Sequence, residues 1–480
     1  MFAVRNLLFK SILVTGLLLV TTPVLALHSH TQLPDSVVNQ MKRYKIPRDS
    51  LSLYIVDLDI DHPIIELNPD TPRNPASVIK LLTTYAGLDL LGPAYTWETR
   101  FYIDGDLDNG ILDGNLVLQG GGDPFLTRED FWHMLYTLRA RGIQHIRGDL
   151  IIDDSLFENE TGSTGDFDKR PYAVYNTFPS AVLLNFNAQE FVVLPGKHSV
   201  HVYADPPADN LKIRNNIKTA SGPCYQSGAG INLGISREGK DVIADFSGKH
   251  PRACGERILL RSVMPPIEYV YGVFKSMWQD MGGTISGTYR NTVMPLPDRP
   301  FYLNVSRPLR EIITSINKFS NNVMARQLFL TIGQIKEGTP GKKESGNRVI
   351  QNWMQSIGIH APELVLENGS GLSRTTRISA RNMGKVLQHA WSSPLSAEFL
   401  SSLPIAGIDG TMRKRLNKDT PTGNIRIKTG LLRSVRSMAG YIKSKNGKHY
   451  LVVSLQNFPS IQNTTGTLIQ DEILKWLYDQ

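Results

Sequence analysis

A chain of 480 residues is too long for one ordinary domain and points to two or three. Its 41% hydrophobic and 20% charged residues exclude a disordered or low-complexity protein. Lys plus Arg (52) exceed Asp plus Glu (44), giving a formal charge of +8, but no long Lys/Arg run marks a nucleic-acid surface.

The N-terminus carries Arg5 and Lys10 with no acid, then an apolar run through Leu17-Leu18-Leu19-Val20, then Val24-Leu25-Ala26. This reads as a secretory signal peptide, residues 1–26, cut after Ala26. The apolar core is shorter than the ~20 residues that span a bilayer, and no later segment is long and apolar enough. The mature protein is therefore expected in the periplasm with no integral membrane segment, and export sets nucleic acid aside as a partner. His28-Ser29-His30 reads as a tail, and no metal or cofactor is expected.

Leu51-Ser52-Leu53-Tyr54-Ile55-Val56-Asp57 predicts a strand and Ile64-Ile65-Glu66-Leu67 its hairpin partner. After Asn74-Pro75-Ala76 the pattern turns helical from Ser77. Residues 93–285 hold short β-like runs between turn residues, including Asn115-Leu116-Val117-Leu118, Leu150-Ile151-Ile152 and Phe191-Val192-Val193-Leu194. The division that follows is a first domain segment at 27–92, an inserted β-rich region of two subdomains at 93–285, and a second domain segment at 286–480. Cys224 and Cys254 both fall in the insert, where an oxidising compartment favours one structural disulfide over two buried thiols. Helical pattern returns as one stretch over 309–330, strand pattern over 424–428, 437–443 and 450–456, and a closing helix over 467–478.

Three short segments carry chemistry. In Ser77-Val78-Ile79-Lys80, positions i and i+3 of a helix share a face, so the hydroxyl and amine meet. Pro75 and Ala76 place Ser77 in the first turn, where the helix dipole favours negative charge on oxygen. A neutral Lys80 could take the serine proton. A second copy, Ser315-Ile316-Asn317-Lys318, lies inside a helical pattern and reads as chance. Ser320-Asn321-Asn322 offers a hydroxyl for proton relay and an amide for a substrate carbonyl. Lys428-Thr429-Gly430 ends an alternating strand; Lys428 and Thr429 could hold a carboxylate, and Gly430 leaves room for a substrate backbone.

Each motif alone is weak. Ser-x-x-Lys, Ser-x-Asn and Lys-Thr-Gly, in this order and in helix, helix and strand contexts, resemble the signature set of penicillin-binding proteins and serine β-lactamases. The 240-residue separation of Lys80 and Ser320, with its strand-rich insertion, resembles that of the type-4 class C penicillin-binding proteins, the D-alanyl-D-alanine carboxypeptidase/endopeptidase family. Gly114-Asn115-Leu116-Val117-Leu118-Gln119-Gly120-Gly121-Gly122-Asp123-Pro124, Gly148-Asp149-Leu150-Ile151-Ile152-Asp153, Gly369-Ser370-Gly371-Leu372-Ser373-Arg374 and Ala439-Gly440-Tyr441 also look like that family.

The resemblance implies an α/β (α+β) transpeptidase/β-lactamase-like domain, with a five-stranded antiparallel sheet between helices and two mostly β domains inserted. It implies Ser77 as acylated nucleophile, Lys80 as base, and Ser320 and Asn322 in the cleft opposite Lys428, Thr429 and Gly430. Backbone N–H groups of Ser77 and Leu431 would form the oxyanion hole. Asp153 and Arg374 match positions near substrate. Implied partners are peptidoglycan stem peptides and cross-links, and β-lactam inhibitors; a homodimer is left open. Leu431 and Asn368 depart from the family, which usually has Ser or Thr and Asp there; loss of the hydroxyl at 431 is expected to weaken carboxypeptidase more than endopeptidase action. A β-lactamase-like hydrolase and a catalytically weak wall-binding protein are the alternatives. No Glu-x-x-Leu-Asn base motif is present, and Tyr289-Arg290-Asn291 fits a Tyr-x-Asn motif less well than Ser320-Asn322 fits Ser-x-Asn.

Overall fold

The computed structural model describes residues 32–224, 230–416 and 423–480, so the signal-peptide segment and the 28–30 tail lie outside the described residues. A five-stranded antiparallel sheet runs in the order Ile425–Leu432, Val435–Lys443, His449–Asn457, Leu51–Asp57, His62–Leu67. Every residue of the Leu51–Asp57 strand is buried, because both faces of the sheet are covered. Its side chains alternate. Tyr54 and Val56 join one core with the Lys80–Leu91 helix, whereas Leu53 and Ile55 join another with Val37, Met41 and Ile473 of the terminal helices Asp35–Arg43 and Thr464–Asp479. The expected sheet between helices is present.

The Lys80–Leu91 helix is buried from Lys80 through Leu88, as an apolar helix with no polar face must be. It packs on the helices Leu309–Phe319 and Asn322–Glu337 through Leu82, Ile313 and Leu328. The helical stretch expected as one over 309–330 is two helices. Ser320 between them is left-handed (φ 58°, ψ 37°), and Asn321 caps the second by accepting from the Met324 N–H at 3.1 Å. A periodic apolar pattern continues across such a break, so the pattern alone does not reveal it.

The inserted region builds on the hairpin Glu98–Asp108/Ile111–Gln119 and two three-stranded sheets. Its helices Arg128–Ala140 and Pro266–Asp280 cover a continuous core containing Phe101, Phe131, Phe191, Phe246 and Trp278. The strands Tyr289–Asn291 and Tyr302–Val305 pair with Leu150–Asp153 and Glu98–Asp108. Residues beyond 285 thus add strands to the insert's sheet. Cys224 and Cys254 are bridged, with Cα atoms 4.8 Å apart. The insert meets the Asn322–Glu337 helix of the other domain through three side-chain bonds: Trp97 Nε1 donates to Thr331 Oγ1 (3.0 Å), Gln327 Nε2 to the Ser180 carbonyl (2.8 Å) and Arg326 Nη1 to the Thr177 carbonyl (3.0 Å). Among the described residues no helix is long and apolar enough to cross a membrane.

Candidate active site

Ser77 sits on a 3-10 turn, Ala76–Ile79, that runs directly into the Lys80–Leu91 helix. Ala76 before it has φ 46°, a conformation that costs an L-residue with a Cβ of order 1 kcal/mol or more. Asn74 holds the strained turn. Its Oδ1 accepts from the Ala76 N–H (2.9 Å), its Nδ2 donates to the Ser373 carbonyl (2.9 Å), and its backbone N–H donates to Asn457 Oδ1 (2.8 Å). The turn is therefore pinned between the sheet and the loop 368–373.

Lys80 is completely buried. Its Nζ reaches Ser77 Oγ at 2.9 Å, Asn322 Oδ1 at 2.6 Å and the Ser370 carbonyl. Two of these partners can only accept, and the third is a hydroxyl that can do either. A neutral amine has two N–H bonds and one lone pair, so it satisfies both acceptors and leaves its lone pair for the Ser77 O–H. Burial, then the charges of Lys428 and Arg326, hold the Lys80 ammonium well below the usual lysine range. Burial therefore outranks the repulsion between the two lysines as the cause.

Lys428, also completely buried, donates to Ser320 Oγ (2.8 Å) and the Thr429 carbonyl (2.9 Å). Burial pushes it down to about 7, so it titrates near neutrality. The left-handed backbone at Ser320 ends one helix and starts the next, and the two side chains of the Ser-x-Asn pair reach different lysines.

Ser77, Ser320, Asn322, Thr429 and Gly430 line one cleft of about 1120 Å³, with Arg374 on its rim over the Phe167 ring (4.3 Å to its centre). Asp153 is elsewhere. It lines a separate pocket with Glu98, Arg100 and Gln119, accepting from Gln119 Nε2 (3.1 Å) and Ser155 Oγ (2.6 Å), and that pocket shares no lining residue with the cleft. Gly430 leaves space of a different kind from that expected. A Cβ there would lie 2.2 Å from Ser437 Oγ and 2.6 Å from the Pro75 carbonyl oxygen. The absent side chain thus lets the strand close on the turn that carries Ser77. Leu431 is exposed on the cleft wall.

The loop 368–373 supplies an element that the motifs alone do not. Asn368 Oδ1 accepts from the Ser370 N–H (3.1 Å) and Oγ (2.8 Å), and its Nδ2 donates to the Leu372 carbonyl (3.0 Å), which aims the Ser370 carbonyl at Lys80. Gly369-Ser370-Gly371 was the signal for it, although a backbone acceptor has no residue signature of its own. Arg326 is a second addition, with no signal in the sequence. The other candidate motifs are committed elsewhere: Lys318 pairs with Asp409, and Tyr289–Asn291 is a strand of the insert. Among the described residues no cluster of His, Cys, Asp or Glu suits a metal ion.

Buried lysine, hydroxyl and amide acceptor arranged in this way suit acyl transfer through serine. Comparison with known proteins agrees. The chain is 26% identical over 426 residues to the D-alanyl-D-alanine carboxypeptidase DacB of Haemophilus influenzae, covering 86% of each chain. It is 28% identical over 391 residues to a D-alanyl-D-alanine carboxypeptidase of an Actinomadura strain, covering 78% of this chain and 71% of that one. The crystal structure of penicillin binding protein 4 (dacB) from Haemophilus influenzae superposes with a TM-score of 0.77 at 22% identity, over 92% of this chain and 99% of that one. The model of the D-Ala-D-Ala carboxypeptidase 3 (S13) family matches residues 34–480, and the chain belongs to that family.

Proposed function

We propose that this serine-type D-Ala-D-Ala carboxypeptidase and DD-endopeptidase works through an acyl-enzyme on Ser77, with Lys80 as its base. The observation that carries the reading is the three-way contact of the Lys80 amine with Ser77 Oγ, Asn322 Oδ1 and the Ser370 carbonyl. Ser77 Oγ attacks the carbonyl carbon of a D-alanyl residue as its proton passes to Lys80 Nζ. The tetrahedral intermediate collapses, the C–N bond breaks, and the departing amine takes the proton, with the Ser320 hydroxyl as relay. Water then hydrolyses the ester. Lys428 and Thr429 hold the substrate carboxylate, Asn322 its amide, and Arg374 a more distant part of the stem. Asp153, in its own pocket, has no part in this chemistry.

The substrates in this reading are peptidoglycan stem peptides and cross-links, and β-lactams are the covalent inhibitors. Residues 1–26 are the signal peptide, which places the mature enzyme in the periplasm. The domain division is 27–92 and 306–480 for the catalytic domain and 93–305 for the insert. Labelling with fluorescent penicillin, followed by mass spectrometry of a tryptic digest, tests the assignment. The adduct is expected on the Ser77 peptide, and an adduct on Ser315 or elsewhere overturns it.

A further inference from the structure

Arg326 stands one helical turn beyond Asn322, so the two side chains leave the Asn322–Glu337 helix from the same face. It is 8% exposed. Its Nη1 donates to the Thr177 carbonyl (3.0 Å), and its Nε is buried with no acceptor. Among the described residues it forms no salt bridge. The acids that face it are engaged: Glu160 with Lys343 (2.7 Å), and Glu367 with Thr375 Oγ1 (2.9 Å) and Ser373 Oγ. A buried guanidinium with no direct salt bridge is expensive, and perturbed charges of this kind cluster at functional sites.

Two features of the position suggest that use. The helix face that carries Arg326 also carries Asn322, whose Oδ1 takes the Lys80 amine. The carbonyl that Arg326 holds belongs to the insert, just after the 3-10 turn Val174–Asn176. That turn and the Phe167–Arg170 segment before it form one wall of the catalytic cleft. Arg326 therefore touches the insert, and its charge acts on Lys80 from the helix face that carries Asn322. The groups facing Lys80 are Lys428 from the edge strand, Arg326 from this helix, the Ser77 hydroxyl, the Asn322 amide and the Ser370 carbonyl.

We propose that Arg326 is a positioning residue for acylation: its charge, not neutralised by any direct salt bridge, keeps Lys80 in the neutral, proton-accepting form, and its bond to Thr177 joins that state to the docked position of the insert's cleft wall. The proposal rests on Lys80 being the base. It makes no contact with substrate and acts only through Lys80.

The test is the pH dependence of Ser77 acylation by benzylpenicillin in the full mature protein, followed by intact-mass kinetics. Arg326→Gln removes the charge, so Lys80 holds its proton to higher pH. The acid limb is expected to move up by about half a pH unit or more, which slows acylation on that limb about threefold, with the alkaline plateau kept within about twofold. Arg326→Lys restores a charge and is expected to return the limb towards the parent. Glu160→Gln removes an opposing charge and moves the limb the other way, a readout that survives should Arg326→Gln fold poorly. An unmoved limb in Arg326→Gln with a lowered plateau, or a Glu160→Gln shift of the same sign as Arg326→Gln, overturns the proposal. Lys80→Ala separates the two ideas: acylation near the parent rate in that variant refutes Lys80 as base, whatever Arg326 does.

Discussion

Gly430→Ala tests how closely the Lys-Thr-Gly strand must lie against the turn that carries Ser77. The added methyl meets Ser437 Oγ at 2.2 Å and the Pro75 carbonyl oxygen at 2.6 Å, whereas ordinary contact begins near 3.4 Å. The serine hydroxyl can rotate, although it then gives up the hydrogen bond it donates to that same Pro75 carbonyl. The carbonyl itself cannot yield without moving Ala76 and Ser77, so strand and turn must part by about 0.8 Å to restore contact distance. Overpacking of this kind costs about 1–3 kcal/mol of stability. The larger effect falls on rate, because a misplacement near 1 Å at a reacting centre costs about a hundredfold. Stopped-flow acylation by a chromogenic β-lactam is thus expected to fall by one to two orders of magnitude, while thermal unfolding stays cooperative and drops by only a few degrees. Gly430→Ala with Ser437→Ala relieves the nearer clash alone and recovers part of the rate. Acylation by the single variant within twofold of the parent refutes the reasoning.

Two further outcomes follow from burial and from chain connectivity. The Lys428 ammonium, held near 7 when folded against about 10.4 in an unfolded chain, destabilises the fold fully below pH 7 and progressively less as pH rises towards 10. Lys428→Met should therefore raise the melting temperature most at pH 6, and an advantage that instead grows with pH contradicts the burial argument. The Cys224–Cys254 bridge closes a loop of 30 residues, worth about 3–4 kcal/mol by loop entropy, so replacing both by Ser should destabilise the insert yet leave penicillin acylation intact. Hydrogen exchange localised to the insert, alongside acylation kinetics, checks both halves.

Much of the site is legible in the sequence because its chemistry needs fixed residue types at fixed offsets. Ser77 and Lys80 share one turn of chain, and Lys428, Thr429 and Gly430 are contiguous. The five-stranded sheet is legible because each strand alternates or is apolar throughout. Other features have no such signature. The break at Ser320 is a single left-handed residue between two good helices. The Ser370 carbonyl is a backbone atom that any residue carries. Asp153 sits in a strand run like the family's, yet in the folded chain the strand directs it to another pocket. Arg326 looks like any helix arginine until its burial and its lack of a direct salt bridge are seen.

The central sheet takes two neighbouring strands from residues 51–67 and three from residues 425–457. Ser77 is therefore synthesised early, but the strand that faces it comes from the last 56 residues of the chain. Until those residues arrive, the Leu51–Asp57 strand has no partner on one side, Lys428 is missing, and the Asn74 backbone lacks the side chain of Asn457. A chain ending before Ile425 would carry Ser77, Lys80 and Asn322 but lack Lys428 and the strand that closes on the Ser77 turn, so the candidate site is complete only once those last residues are in place. Contacts this distant in sequence also form slowly, which makes the catalytic cleft among the last features of the molecule to form.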